Sequence, residues 1–234
     1  MKKYKEILNA FIERVREKEG SVDPALKLCA GRAQLLAHIK GNISDYYRSG
    51  AIDTALLREM FEEKELNRQG IYTTGSVQHN NFGKDITVAG DCECDVSAGT
   101  VRAFDDAKVI ASYLSKVYAY DKVTVVANMR AVVSARDNCQ VVAGDFAAVK
   151  VFDDVTVDAT DRTNVTVHGS ATVTAGGDAY VRVMGNMATV RAYSFATVHH
   201  DGTENVTVEG CAVAINTKTY EVKHGSALVI KQEK

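Results

Sequence analysis

Valine recurs at every eighth residue through the middle of this chain: Val101, Val109, Val117, Val125, Val133, Val141, Val149, Val157, Val165, Val173 and Val181. One extra residue then shifts the phase, and Val190 and Val198 carry the beat on. With octads numbered from Ala107, valine holds position three. Position one is mostly small (Ala107, Ser115, Ala131, Cys139, Ala147), and position five is alanine or valine (Ala111, Ala119, Ala127, Ala135, Val151). Small-x-Val-x-Ala alternates with a period of two. That is the signature of a strand with one buried face, because alternate side chains of a strand point to opposite sides. Position seven reads Asp105, Tyr113, Asp121, Met129, Asp137, Asp145, Asp153, Asp161, Gly169, Gly177 and Gly185. Asp and Gly favour tight corners, Asp by bonding nearby backbone N–H groups and Gly by accepting positive φ. Each octad is therefore a short strand and a corner. Units of this kind bury their apolar face only by stacking on their neighbours, which predicts a β-solenoid.

The outward positions fall into two classes. Odd octads show small, flat or Thr/Val-rich triplets such as Thr124, Val126 and Asn128, or Thr172, Thr174 and Gly176. Even octads show Tyr118 and Tyr120, then Arg136, then Lys150 and Phe152, then His168, then Tyr180, Arg182 and Met184. A coil of two octads gives each class its own face. Facing alanines and valines also suit the roughly 10 Å gap between packed sheets better than a wide prism at native density. The expectation is an α+β chain, an N-terminal helical bundle followed by a flattened two-sheet solenoid with about two octads per coil. A three-sided coil is the alternative. From Ile86 to Ile230 there is room for about nine coils, a rod about 40 Å long.

Before the octads the period changes. Ile7, Leu8, Phe11, Ile12 and Val15 form one face of a helix that Gly20 ends. Asp23-Pro24 reads as an N-cap with proline at the first helical position. A second apolar series runs from Leu26 toward Tyr46-Tyr47, with Gly31 or Gly41 as kinks, and Asp53 caps a third helix closed by Gly70. The domain reading is 1-70 helical cap, 71-85 linker, in which residues 71 to 84 read as a short strand and a loop, and 86-234 solenoid. The helical segment covers the first coil, whose strand edges are otherwise unpaired. Toward the C-terminus the pattern loosens (Val206, Val208, Val213, Ile215, Val222, Val229), and the tail Lys231-Gln232-Glu233-Lys234 is charged, which discourages end-to-end stacking.

Composition narrows the function classes. The chain has 234 residues, 46% hydrophobic and 25% charged, with a formal net charge of −2. That balance carries no polyelectrolyte signal for nucleic acid. Residues 1–70 hold 13 Lys/Arg against 11 Asp/Glu, so no basic recognition helix stands out. Five cysteines without framework spacing point to a reducing compartment. Glu6, Glu13 and Arg14 interrupt any signal-peptide core, and no apolar run approaches the roughly 20 residues that span a bilayer. The expectation is a cytoplasmic protein.

Several constellations invite chemistry. Asp105, Asp121, Asp137 and Asp153 stack along one edge if a coil holds two octads. A calcium ladder or acidic strip competes there with turn capping by carboxylates, and the Gly-Gly-x-Gly-x-Asp calcium motif is missing. Cys92-x-Cys94 places two thiols on one face, short of the four ligands and C-x2-C spacing of a zinc site. His199-His200-Asp201 lacks a nucleophile or phosphate loop beside it. Ice binding needs a long Thr-x-Thr array, and only Thr172-x-Thr174 has one. Acyltransferase solenoids repeat every six residues, not eight. The strongest lead is the bulky face, Tyr118, Tyr120, Arg136, Lys150, Phe152, His168, Tyr180, Arg182 and Met184, because interfaces are enriched in Tyr, Phe, Met and Arg.

Octads such as Arg191-Ala192-Tyr193-Ser194-Phe195-Ala196-Thr197-Val198 and the stretch Gly169-Ser170-Ala171-Thr172-Val173-Thr174-Ala175 resemble the Ala-Thr-Val-x-Ala-Tyr-Asp/Gly-Ser repeats of uncharacterised proteins from gut bacteria and their phages. The resemblance covers residues from about 100 to 200. It implies a β-solenoid and a phage or mobile-element setting, and is silent on activity. The leading expectation is a non-enzymatic binding or structural module that meets a protein partner through the bulky face. It uses no cofactor or metal, and does not contact nucleic acid or membrane directly. The alternative is an inhibitor of a nucleic-acid-binding defence protein, of anti-CRISPR type, whose acidic edge Asp105, Asp121, Asp137 and Asp153 imitates phosphates. Oligomeric state is left open.

Overall fold

A computed structural model describes residues 4–184, 187–202 and 205–225. Gly185, Val229 and the Lys231–Lys234 tail lie outside the described residues. The chain is a β-solenoid of about nine turns with helices at its N-terminal end.

Six short helices come first: α1 (Tyr4–Glu19), α2 (Pro24–Lys27), α3 (Arg32–Gly41), α4 (Ile43–Ser49), α5 (Thr54–Met60) and α6 (Glu63–Arg68). Their ends follow local chemistry. Gly20 leaves α1 at φ 73°, a backbone that glycine adopts without a Cβ clash. Asp23 accepts the N–H of Ala25, and Asp53 accepts that of Leu56. The second apolar series does not form one kinked helix; it breaks at Leu28–Gly31 and again at Asn42, giving α2, α3 and α4. These helices enclose Phe11, Leu26, Leu35, Ile39, Ile52, Leu57 and Leu66, all fully or almost fully buried.

The sheet starts earlier than the hydrophobic alternation suggests. β1 (Ile71–Tyr72) pairs with Thr87 and Val88, and β2 (Ser76–Ala89) pairs with β3 (Glu93–Phe104) from Ser76 onward. Residues 71–85, read from sequence as a linker, therefore supply the first rungs. Gly75, Asn80, Asn81 and Gly83 hide this, and the pairing is itself irregular between His79 and Asp85.

After β3 and β4 (Lys108–Ala119) come β5 (Thr124–Ala127), β6 (Val132–Ala135), β7 (Gln140–Ala143), β8 (Ala148–Phe152), β9 (Thr156–Ala159), β10 (Asn164–His168), β11 (Thr172–Ala175) and β12 (Tyr180–Val183). β13 (Thr189–Ala192), β14 (Thr197–His200), β15 (Asn205–Val208), β16 (Val213–Asn216) and β17 (Val222–His224) follow. Strands pair in parallel with the next but one. Lys116, Val132, Ala148, Asn164 and Tyr180 share one row, sixteen residues apart, and Lys108, Thr124, Gln140, Thr156 and Thr172 share another. The register absorbs the extra residue as Thr172↔Thr189 and Tyr180↔Thr197, then returns to sixteen at Thr197↔Val213. Two ladders result. The T-ladder holds β5, β7, β9, β11, β13 and β15; the Y-ladder holds β6, β8, β10, β12, β14 and β16. β4 contributes to both. β17 folds back antiparallel on β16.

Val117, Val133, Val149 and their octad mates are buried, with Ala119, Ala135, Ala159 and Ala175 beside them. Every described position seven from Asp105 to Gly177 has positive φ, so the octad corner is a left-handed residue. Asp tolerates that backbone better than most side chains and Gly best of all. Corners alternate between two columns. The first, after the Y-ladder, holds Asp105, Asp121, Asp137, Asp153 and Gly169. The second, after the T-ladder, holds Tyr113, Met129, Asp145, Asp161, Gly177 and Ser194.

Candidate interaction face

The outward side of the Y-ladder gathers most of the bulky residues named from sequence. Within it, residues 104, 120, 136, 152, 168 and 184 form one column, because the N–H of Tyr120, Arg136 and Met184 bond Ala103, Ala119 and Val167 on the preceding coil. Along that column, Phe104 and Tyr120 stack at 5.0 Å and Phe152 and His168 at 5.1 Å. The Arg136 guanidinium lies 4.0 Å from the Phe152 ring centre, with the Lys150 ammonium at 5.1 Å. Lys116 sits 4.9 Å from the Tyr118 ring and Arg102 6.0 Å. Each ring thus holds two cations within or near the range of cation–π attraction. Farther along, Tyr180 meets His199 edge-on at 5.1 Å. Arg182 and Met184 are exposed, while Arg136, Phe152 and His168 are half-buried by their neighbours.

Charge separates this side from the rest of the protein. From Lys116 to His199 its outward residues include Lys116, Arg136, Lys150 and Arg182 and no Asp or Glu, in a chain whose net charge is −2. The T-ladder carries Asp158 and Glu209 outward, and Glu209 pairs with Arg191. Burial, with the Lys150 charge second, holds the His168 imidazole below its ordinary range, so it is neutral near pH 7.

Tyr120 has another duty. Phe104 lies between Tyr47 of α4, stacked at 4.2 Å, and Tyr120. Ile71, Ala89 and Phe104 belong to the helical core, and Tyr120 packs against it. Tyr120 therefore belongs to the junction of helices and solenoid, while Tyr118 and the column from Arg136 onward lie outside the helical core. Sequence reasoning placed Phe104 on no face. Its offset of sixteen from Tyr120 was the available signal.

The acidic edge forms a hydrogen-bonded ladder. An oxygen of Asp121 accepts the N–H of Asp105 at 3.3 Å, Asp137 that of Asp121 at 3.2 Å, and Asp153 that of Asp137 at 3.5 Å. Asp145 and Asp161 do the same for Met129 and Asp145 in the second column. At the top, Asp105 accepts both the N–H and the hydroxyl of Thr54, tying the start of α5 to the first corner. Burial pushes the Asp121 carboxyl up, opposed by the N–H bond from Asp105. The edge ends where chain approach demands glycine: a Cβ on Gly169 would lie 2.7 Å from the backbone N of Asp153.

Other candidates disperse. Cys92 and Cys94 are buried in the solenoid core, and burial pushes their thiols up to about 11 and about 12. Cys139 is likewise pushed up to about 12. Such thiols are protonated and poorly nucleophilic at neutral pH. His199 faces outward beside Tyr180, whereas His200 is buried, and Asp201 pairs with Lys218. Among the described residues no group of three or more His, Cys, Asp or Glu could hold a metal ion. No described helix is long and apolar enough to cross a membrane. A cleft of about 590 Å³ lies between α5, α6 and the turn after β1, but its arginines are engaged, Arg32 by Glu65 and Arg58 by Asp91.

No protein-family model matches the chain, and comparison with curated proteins and with solved structures finds no match. The fold defines the class, a β-solenoid with an N-terminal helical segment, and the class is compatible with a structural or binding module.

Proposed function

We propose that the chain is a non-enzymatic binding module, and that the outward side of the Y-ladder docks an acidic protein partner. In this reading the coil is flattened, each ladder forming one broad face. One observation carries it: cations and aromatic rings share a continuous surface from which carboxylates are missing. Rigid strands hold those side chains at a rung spacing of about 4.8 Å. Rings that already sit against cations lose little side-chain freedom on binding. Carboxylates of a partner would pair with Lys150, Arg182 and Arg136, while Tyr118, Phe152 and Met184 supply apolar anchors. The resemblance of the octads supplies the setting, a phage or mobile element acting in a host cytoplasm.

The alternative inhibitor, with an acidic edge that imitates phosphates, draws less support. One oxygen of each of Asp121, Asp137 and Asp153 already accepts a backbone N–H, and Asp105 serves Thr54.

The test compares two charge-altered chains in pulldowns at low and raised salt. Arg136→Glu with Lys150→Glu and Arg182→Glu should abolish recovery of a partner that wild type retains. Changing Asp105, Asp121, Asp137 and Asp153 to Asn should leave it. Loss only with the Asn set would transfer the function to the acidic edge and overturn the proposal.

A further inference from the structure

The second corner column breaks the octad rule at its start. Six position-seven corners from Asp105 to Asp161 are Asp; only Tyr113 and Met129 are not. Both hold left-handed backbone at φ 51° and 58°, where their side chains are disfavoured. Neither gains burial, as Tyr113 is 58% and Met129 39% exposed. Met129 also lacks the carboxylate that accepts the preceding corner's N–H elsewhere. The neighbouring position eight repeats the anomaly, with Leu114, Phe146 and Phe195 at 62%, 56% and 67% exposure. A sequence that breaks its local rule without structural gain marks a used surface.

The flanking strands set the order of position eight. Two residues before Lys116, Val132, Ala148, Asn164, Tyr180 and Thr197, which share a row, stand Leu114, Arg130, Phe146, Arg162, Asp178 and Phe195. Read backwards, this column complements itself. Leu114 meets Phe195, Arg130 meets Asp178, and Phe146 meets Arg162. Within one chain Arg162 already lies 5.6 Å from the Phe146 ring, so that pairing has a precedent here. Beside this column Val132, 45% exposed, would meet Tyr180. Arg130 has no ion pair among the described residues, and Asp178 has only Arg162 at 3.9 Å.

We infer that a second copy of this chain docks along the position-eight column, the two rods antiparallel about a twofold axis between Phe146 and Arg162. Such an axis requires a patch whose residue i contacts j while j contacts i, and this column has that property over six rungs, about 24 Å. A heteromeric partner would not require the column to match its own reversal. The contact leaves the Y-ladder face open, so a dimer displays that face twice.

Charge reversal tests the pairing. Sedimentation of the full chain at micromolar concentration should show a dimer. Arg130→Asp places Asp against Asp178, and Asp178→Arg places Arg against Arg130, so each should weaken dimerisation at least tenfold. An equimolar mixture should restore a dimer containing one of each, because both contacts then join opposite charges. Circular dichroism confirms that the variants remain folded. In a Cys211→Ser background, Leu114→Cys with Phe195→Cys should cross-link between copies; within one chain the two lie five rungs apart, beyond disulfide reach. A monomeric wild type, a dimer indifferent to both reversals, or a mixture that stays monomeric overturns the inference.

Discussion

The helical segment and the solenoid bury their cores by opposite means. The helices enclose large, irregular side chains such as Phe11, Leu35, Ile39 and Leu57, each in a unique setting. The solenoid repeats small ones, so Ala127, Ala143 and Ala159 occupy the same environment on successive coils. In the first region stability is held by few irreplaceable contacts; in the second it is spread over near-equivalent interfaces between neighbours. The lesson concerns function as well. Within a repeat every residue has siblings that act as controls, so a departure from the rule stands out. The helical segment offers no such reference.

The sharpest way to break the comparison is at the one place where the regions share a core. Phe104→Ala removes the ring between Tyr47 and Tyr120, and should cost about 3–5 kcal/mol, the usual range for a buried aromatic truncated to alanine. The ten tyrosines make fluorescence a probe that complements the far-ultraviolet strand signal. The variant should lose the helical transition at lower denaturant than the strand transition. A single coincident transition at the wild-type midpoint would show that the junction does not couple them.

Ala127→Leu asks how narrow the solenoid core is. Ala127 is buried among small residues of the solenoid core, and enlarging it should cost about 1–3 kcal/mol by overpacking. The same exchange at Ala143 or Ala159 should cost a similar amount, since each has the same neighbours one coil on. Thermal unfolding of the three variants checks this; a spread much wider than the range itself would mean that the coils are not equivalent.

What could be read in advance follows the same division. The inward valines and the corner residues depend on local alternation; the valines are buried and the corners hold positive φ. The helix starts at Asp23 and Asp53 were equally local. A short strand near 71 was legible, but the rungs from Ser76 to Asp85 were read as a loop because glycines and asparagines occupy a strand whose pairing comes from β3. That the helical segment would dock on the bulky face was a reading the sequence allowed, but that it would do so at Tyr120 was not legible, because nothing near Tyr120 in sequence indicates that Tyr47, far upstream, reaches the same stack. The self-complementary column could be read only once the register had fixed which residues are neighbours.

Corner residues give a finer probe. Asp137→Ala removes the acceptor for the Asp121 N–H and puts a less tolerant side chain at φ 60°. Together these should cost about 1–2 kcal/mol. Asp137→Gly keeps the backbone relaxed and loses only the hydrogen bond, so it should cost less. If both variants unfold at the wild-type temperature, the carboxylate ladder is not structural, and the acidic edge becomes the better candidate for a binding surface.

Met129→Asp reverses the logic by restoring the rule. The new carboxylate can accept the N–H of Tyr113, as Asp145 accepts that of Met129 at 3.1 Å. Aspartate also tolerates left-handed backbone better than methionine. The monomer should gain about 0.5–1 kcal/mol, the scale of one relieved corner and one net hydrogen bond. A second charge beside Asp145 opposes this, but stacked carboxylates already coexist at Asp121 and Asp137. The same substitution removes an exposed apolar group beside Arg130, at the edge of the column that pairs two copies, so self-association should weaken while the melting temperature of the monomer rises. Stability and association moving in opposite directions would identify methionine at this corner as retained for contact and not for fold. A variant both less stable and more weakly associated would show instead that Met129 supports its own coil.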